Sequence, residues 1–313
     1  MLVSMSKDSL SVHPPADPAE PPPVVNAPFR FWSGLIGDVK EGLAQRELLR
    51  SLVARETRQR YKGTFLGWGW ALIRPLVMLA IYGLAVGVFL GAGATIPEFA
   101  IYLYVGLIAW SYFSTLVSGS INALPGNSGL INKTAFRREL LIVAVLAVAL
   151  IDLLLQASVL LLGYLFYGAW PALDTLWWVV PGFVVLTVLG IGLGLLLSAL
   201  NVYFRDIGYL VDVALQVGFW LVPIVYAYSM VESALASQPG LLALYSANPA
   251  LSAITAFRLS LWPAAWGDVG QAQLLSLDQT VFYLGVATIV GLVLVWLGQR
   301  LFSRMSGNIA QEL

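Results

Sequence analysis

Few side chains in this 313-residue chain could perform covalent chemistry. There is no cysteine, which excludes disulfides, thiol catalysis and thiolate metal sites. The single histidine, His13, sits in the Pro-rich stretch "HPPADPAEPPP", so a histidine zinc site or a Ser-His-Asp triad has nothing to build on. A phosphate-cradling loop needs GxxxxGK[ST]. Lys133-Thr134 follows Asn132 instead, and Lys62 is followed by Gly63, so ATP is not held in that way. What remains is cations, aromatic rings and two carboxylates in apolar surroundings. Arg46, Arg50, Arg58, Arg60 and Lys62 crowd ahead of an apolar run that carries Arg74 beside Pro75. Asp152 and Asp212 lie inside later apolar runs. This set suits the recognition of anionic or hydroxyl-rich ligands rather than bond cleavage.

The elements that must position these residues are membrane spans. The chain is 59% hydrophobic and 11% charged, with a mean hydropathy of +0.81. A soluble domain carries about 25% charged residues. A formal net charge of +0 gives no pull toward nucleic acid. About 20 apolar residues cross the hydrocarbon as a helix, and six segments qualify: Leu66–Leu90, Phe99–Ala123, Leu140–Phe166, Leu176–Leu200, Ile207–Tyr228 and Val281–Leu301. An even number places both termini on one side. The positive-inside rule makes that side cytoplasmic, because the loops there hold most Lys and Arg while the other side holds only Arg258 among several acids.

Four regions follow from this reading. Residues 1–33 are expected to be a disordered Pro-rich cytoplasmic tail. Residues 34–62 alternate Leu with charge and predict an amphipathic helix at the inner surface, where anionic lipid attracts its cations. Residues 63–304 form the six-span domain, and 305–313 a cytoplasmic C-terminal tail. Between spans five and six, residues 231–278 contain the apolar pieces Gly240–Ala247 and Ala250–Trp262, too short to cross and suited to a re-entrant outer helical hairpin, with an ordinary outer loop as the alternative. "GTFLGWGW" reads as a bent lead-in, with Pro75 opening the first turn of span one and the span starting near Ile73.

Several groups have two readings. A carboxylate at Asp152, about twelve residues into span three, is costly in lipid. It either bonds a hydroxyl of a neighbouring helix or touches the transported molecule. Gly190 and Gly194 allow close helix approach, within the subunit or at a dimer seam. Arg205-Asp206 either forms an ion pair or sets topology. With only Asp152 and Asp212 acidic within the spans, and no inverted repeat, an ion-coupled carrier is disfavoured.

An ordered set of motifs carries a resemblance to a family. "RYKGTFLGWGWALIRPL", "YLYVGLIAWSYFSTLVSGSINAL", "NSGLINKTAFRREL", "NVYFRDI", "FWLVPIVY" and "NPALSAITAFR" resemble, in that order, segments of polysaccharide-exporting ABC-2 permeases. Those are the membrane subunits for O-antigen, teichoic acid, capsule and cell-wall galactan. The resemblance covers Gly42 to Arg304. It departs at Phe136-Arg137-Arg138-Glu139, where the family has Phe-Pro-Arg-Glu, so span three could start earlier as a continuous helix.

The resemblance implies an all-α ABC-2 permease fold, a homodimer of this chain, and two copies of a separate ATPase that carry ATP and Mg. No cofactor is expected on this chain, and it is not an enzyme by itself. It implies that Arg46, Arg50, Gly126, Asn127, Lys133, Arg137 and Arg138 form the ATPase-docking surface. Arg58, Arg60, Lys62 and Arg74 would meet the pyrophosphate of a lipid-linked polysaccharide. Tyr82, Tyr102, Tyr104, Trp110 and Asp152 are the candidates for the substrate path, because aromatic faces cover sugar C–H faces while phenols and indoles hydrogen-bond; placement at the membrane interface or in the core is the other reading of any single ring. The Pro-rich tail leans toward a galactan. The alternatives are an ABC-2 permease for drugs or small lipids and, from another class, a membrane glycosyltransferase, which the single histidine and sparse acids disfavour.

Overall fold

The computed structural model describes residues 46–61, 63, 65–67, 69–131 and 138–305, without the side chains of 59–61, 303 and 305. The tails, residues 34–45, Lys62, Lys133 and Arg137 lie outside the described residues. Apolar runs with no water to satisfy their backbone must bond within themselves, so they become helices. Among the described residues the fold is helical throughout. Helix α1 is Arg46–Tyr61, α2 is Gly69–Tyr82, α3 is Phe99–Gly126, α4 is Glu139–Tyr167 and α5 is Val179–Tyr203. Helix α6 is Asp206–Trp220, α7 is Pro239–Ser246, α8 is Pro249–Leu261 and α9 is Leu277–Met305.

Five helical stretches are long and apolar enough to cross a membrane: Gly69–Phe89, Phe99–Ala123, Glu139–Tyr167, Leu173–Tyr203 and Leu277–Phe302. The chain is therefore a multi-pass membrane protein. Counting the bent pair α7 and α8 as one raises the number to six. The expected fifth span, Ile207–Tyr228, is corrected: α6 stops at Trp220 after 15 residues. Irregular backbone follows to Ala227, where Pro223 has no N–H to continue the ladder.

Span one also departs from expectation. The lead-in is non-helical at 63 and 65–67, with Gly63 and Gly67 at positive φ, as a bent segment requires. The helix then starts at Gly69 rather than near Ile73, so Pro75 lies inside α2 instead of opening it. The turn widens into a π-helical stretch, Gly83–Phe89, in which the Gly87 backbone lies against the Phe99 ring; a Cβ there would sit 2.8 Å from it.

Helices α3, α4, α5 and α8 form the protein interior, and α9 packs along α5 with most of its surface exposed. In the second span 72% of the core window is buried inside the chain, against 11% in the first, so α2 is peripheral. Gly192 and Gly298 let α5 and α9 touch: a Cβ on Gly192 would stand 2.7 Å from the Leu294 Cβ. Gly190 and Gly194 face α3, where added Cβ atoms would meet Leu116 at 2.6 Å and Ser120 at 2.5 Å. Both therefore serve packing within the subunit.

The apolar pieces of the outer region are α7 and α8, bent by 68° where they meet. Pro249 fits the first turn of α8, and the Asn248 side chain accepts a hydrogen bond from the Ala250 N–H at 3.1 Å. From Ala250 to Ser260 every residue of α8 is buried, so this helix plunges into the core.

Candidate functional site

The described part of the surface helix, α1, packs one stripe inward. Leu52 is buried, and Leu48, Leu49 and Val53 pack against the core beside α4. Arg46, Arg50 and Arg58 are exposed on the other side. Arg50 lies 3.5 Å from Glu47, a solvent-exposed pair that contributes little. The Arg58 Nε donates to the Ala54 carbonyl at 3.1 Å. Arg60 is in α1, with its side chain outside the described part. Arg74 is exposed on α2.

At the end of α3, Gly126 is exposed, whereas Asn127 is buried. The Asn127 Nδ2 donates to the Ala123 carbonyl at 2.8 Å, so its side chain closes its own helix end. Arg138 precedes α4, which begins at Glu139. Partial burial holds the Arg138 guanidinium below its ordinary pKa, and the neighbouring Glu139 carboxylate opposes that shift.

The aromatic candidates separate into two groups. Tyr82 and Trp110 keep partial exposure and join a ring cluster between α2, α3 and α6. Tyr82 stacks on Phe219 at 5.7 Å and meets Trp220 edge-on at 6.0 Å. Trp110 touches Phe113 at 5.5 Å and Phe219 at 6.3 Å. A Cβ on Gly218 would stand 2.9 Å from the Trp110 ring, so glycine lets the indole lie flat against α6.

Tyr102 and Tyr104 are different, because both are buried inside the subunit. The Tyr102 hydroxyl donates to the Tyr226 carbonyl at 2.8 Å, and that of Tyr104 to the Gln156 carbonyl at 3.2 Å. Asp152 is buried too, one helical turn before Gln156, whose Nε2 donates to the Ser111 hydroxyl at 3.3 Å. The structure thus places Tyr102, Tyr104 and Asp152 among the buried polar groups of the subunit interior. They do not join Tyr82 and Trp110 on one surface.

Sequence reasoning missed a stripe on α6. Tyr209, Asp212, Val213, Gln216 and Trp220 all project outward and are exposed. Their spacing of three and four residues puts them on one helix face. An isolated charged side chain at mid-membrane costs about 2.5–3.5 kcal/mol by insertion scales. An exposed Asp-Gln pair on an apolar helix therefore belongs against water or protein rather than lipid. The i, i+4 spacing of Asp212 and Gln216 was the available signal. At the N-terminal end of α6, Arg205 and Asp206 are both exposed, and the Asn201 side chain ties the turn by accepting from the Gly208 N–H at 3.0 Å.

Comparison with known proteins agrees with this arrangement. A model of the ABC-2 type transporter family matches residues 47–262. The O-antigen export system permease protein RfbA of Myxococcus xanthus is 29% identical over 275 residues, covering 88% of this chain and 98% of that protein. Its namesake from Klebsiella pneumoniae is 23% identical over 267 residues, 85% and 95% of the two chains. The polysialic acid transport protein KpsM of Escherichia coli is 26% identical over 181 residues, 55% of this chain and 67% of that one. With the family model spanning most of the chain and a multi-pass helical fold around it, the chain belongs to the ABC-2 type transporter family.

Proposed function

We propose that this chain is the membrane-spanning subunit of an ATP-driven exporter that moves a lipid-linked polysaccharide outward across the inner or plasma membrane. The observation that carries the reading is the exposed stripe of α6 beside the Tyr82–Trp110–Phe219–Trp220 rings. Rings cover sugar faces and the Asp212 and Gln216 side chains bond hydroxyls, which gives many weak contacts and no deep trap. An apolar drug would leave those polar groups unmatched. The relatives' names, O-antigen export and polysialic acid transport, support a glycan substrate. A galactan is a finer reading that rests on resemblance and on the tail.

The working unit is a homodimer with two copies of a separate ATPase, which binds ATP and Mg. The little-buried α2 and the exposed α6 stripe suit pairing with a second copy around a central path. Both termini are cytoplasmic, on the charge asymmetry of the loops. Exposed Arg46 and Arg50, with Gly126, Lys133, Arg137 and Arg138, dock the ATPase. Arg58, Arg60, Lys62 and Arg74 guide the pyrophosphate. The test is co-purification with a P-loop ATPase encoded nearby, followed by glycan-stimulated ATP hydrolysis. Depletion of the chain should accumulate lipid-linked glycan on the cytoplasmic side. A chain that assembles with no ATPase would refute the reading.

A further inference from the structure

The break after α6 exposes backbone carbonyls that no helix serves, and nearly all of them are captured. The Arg258 Nη1 donates to the Pro223 carbonyl at 2.7 Å and its Nη2 to the Ile224 carbonyl at 2.8 Å. The Nε reaches the Tyr102 carbonyl at 3.4 Å. The Tyr102 hydroxyl donates to the Tyr226 carbonyl, and lies 3.4 Å from that of Pro223. The Tyr226 hydroxyl donates to the Trp220 carbonyl, and the Asn248 Nδ2 to that of Leu221 at 3.5 Å.

Arg258 is only 1% exposed, although it is the cation that sequence reasoning left on the outer side. Its guanidinium lies over the Tyr102 ring, 3.5 Å from the centroid. Gly106 clears the space: a Cβ there would stand 2.9 Å from the Arg258 Nη2 and 3.2 Å from Ile224. A fully buried cation needs its donors used, and here the planar fork spans two successive carbonyls as an ammonium would not.

We propose that Arg258 is a positioning residue for export: from α8 it holds the break at residues 221–227 and so fastens α6 to the outer hairpin. Val211 is the one fully buried residue of α6, which is otherwise held by Asn201 at its start and by the rings at Phe219 and Trp220, so the fork anchors the backbone that follows its far end. The proposal rests on the export reading for its functional half and on geometry alone for its structural half.

The cysteine-free chain allows a direct test in the assembled complex with its ATPase. A single cysteine at Val225, buried at 2% exposure, reports the break by its rate of maleimide labelling. Arg258→Met should raise that rate about tenfold or more, the scale of losing hydrogen bonds to a charged donor. Arg258→Lys should recover part of the protection, and Tyr102→Phe should lie between. Export per assembled complex should fall in the same order while basal ATP hydrolysis persists.

Unchanged labelling in Arg258→Met overturns the proposal. So does faster labelling with undiminished export per complex. If Arg258→Met does not assemble, Tyr102→Phe and Gly106→Ala take its place, and unchanged labelling or undiminished export in them overturns the proposal equally. If the unsubstituted complex exports no glycan, the export reading fails, and labelling still decides whether Arg258 holds the break.

Discussion

At the residue scale, small differences in neighbours decide roles. Glu98 sits just ahead of α3 with φ at 49°, and its second carboxylate oxygen meets no partner among the described residues. Burial raises its pKa above the ordinary 4.5, and the Ala264 N–H opposes that in part. A raised folded-state value stabilises the fold in full below about 4.5, and that contribution is lost as pH rises through the raised value. Glu98→Gln should therefore keep its thermal midpoint from about pH 4 to about pH 7.5, while the native protein loses stability over the same range. A native midpoint as flat as that of the variant would refute this. Gly194 is the second case. With Ser120 2.5 Å from its would-be Cβ, Gly194→Ala should overpack the α3–α5 seam by about 1–3 kcal/mol, read as a lowered unfolding midpoint in detergent.

At the element scale, the turn between α5 and α6 hangs on Asn201. Its Oδ1 accepts from the Gly208 N–H at 3.0 Å and its Nδ2 donates to the Ile121 carbonyl of α3 at 3.3 Å. Asn201→Ala leaves buried partners unmatched, which costs about 1–3 kcal/mol. Hydrogen exchange at Gly208 and the first turn of α6 should accelerate, while α9 exchanges as before. Equal acceleration in both helices would mean global loosening instead. The helices themselves were legible in sequence, because long charge-free runs have no other way to satisfy their backbone in lipid. The ends were less legible. The α6 end depends on Pro223 together with donors from α3 and α8, far away in the chain.

At the scale of the molecule, the passage hypothesis makes a surface-labelling prediction. Gln216→Cys in the cysteine-free chain should react with a membrane-impermeant maleimide, and bound glycan should slow that reaction at least several-fold. Leu154→Cys, exposed midway along α4, should stay unreactive as a lipid-facing control. If both positions label alike, the α6 stripe does not line an aqueous path. The proposed pairing of two copies around the path makes its own prediction: single cysteines at Val213, on the flank of the α6 stripe, should crosslink two copies, and no crosslinked dimer would refute that pairing.

The sequence by itself determined the class of molecule, most of its membrane segments and the apolar pieces that become α7 and α8. Those follow from composition, run length and charge placement, which are local properties. Which side chains meet was decided only by the tertiary structure. A span that is apolar all round gives no sign of the side facing protein, so Tyr102, Tyr104 and Trp110 look equivalent in the chain. Packing buries the first two and leaves Trp110 at the ring cluster. Arg258 shows the same limit more sharply: along the chain it is a lone outer cation, and only the fold brings the carbonyls of Tyr102, Pro223 and Ile224 to its guanidinium.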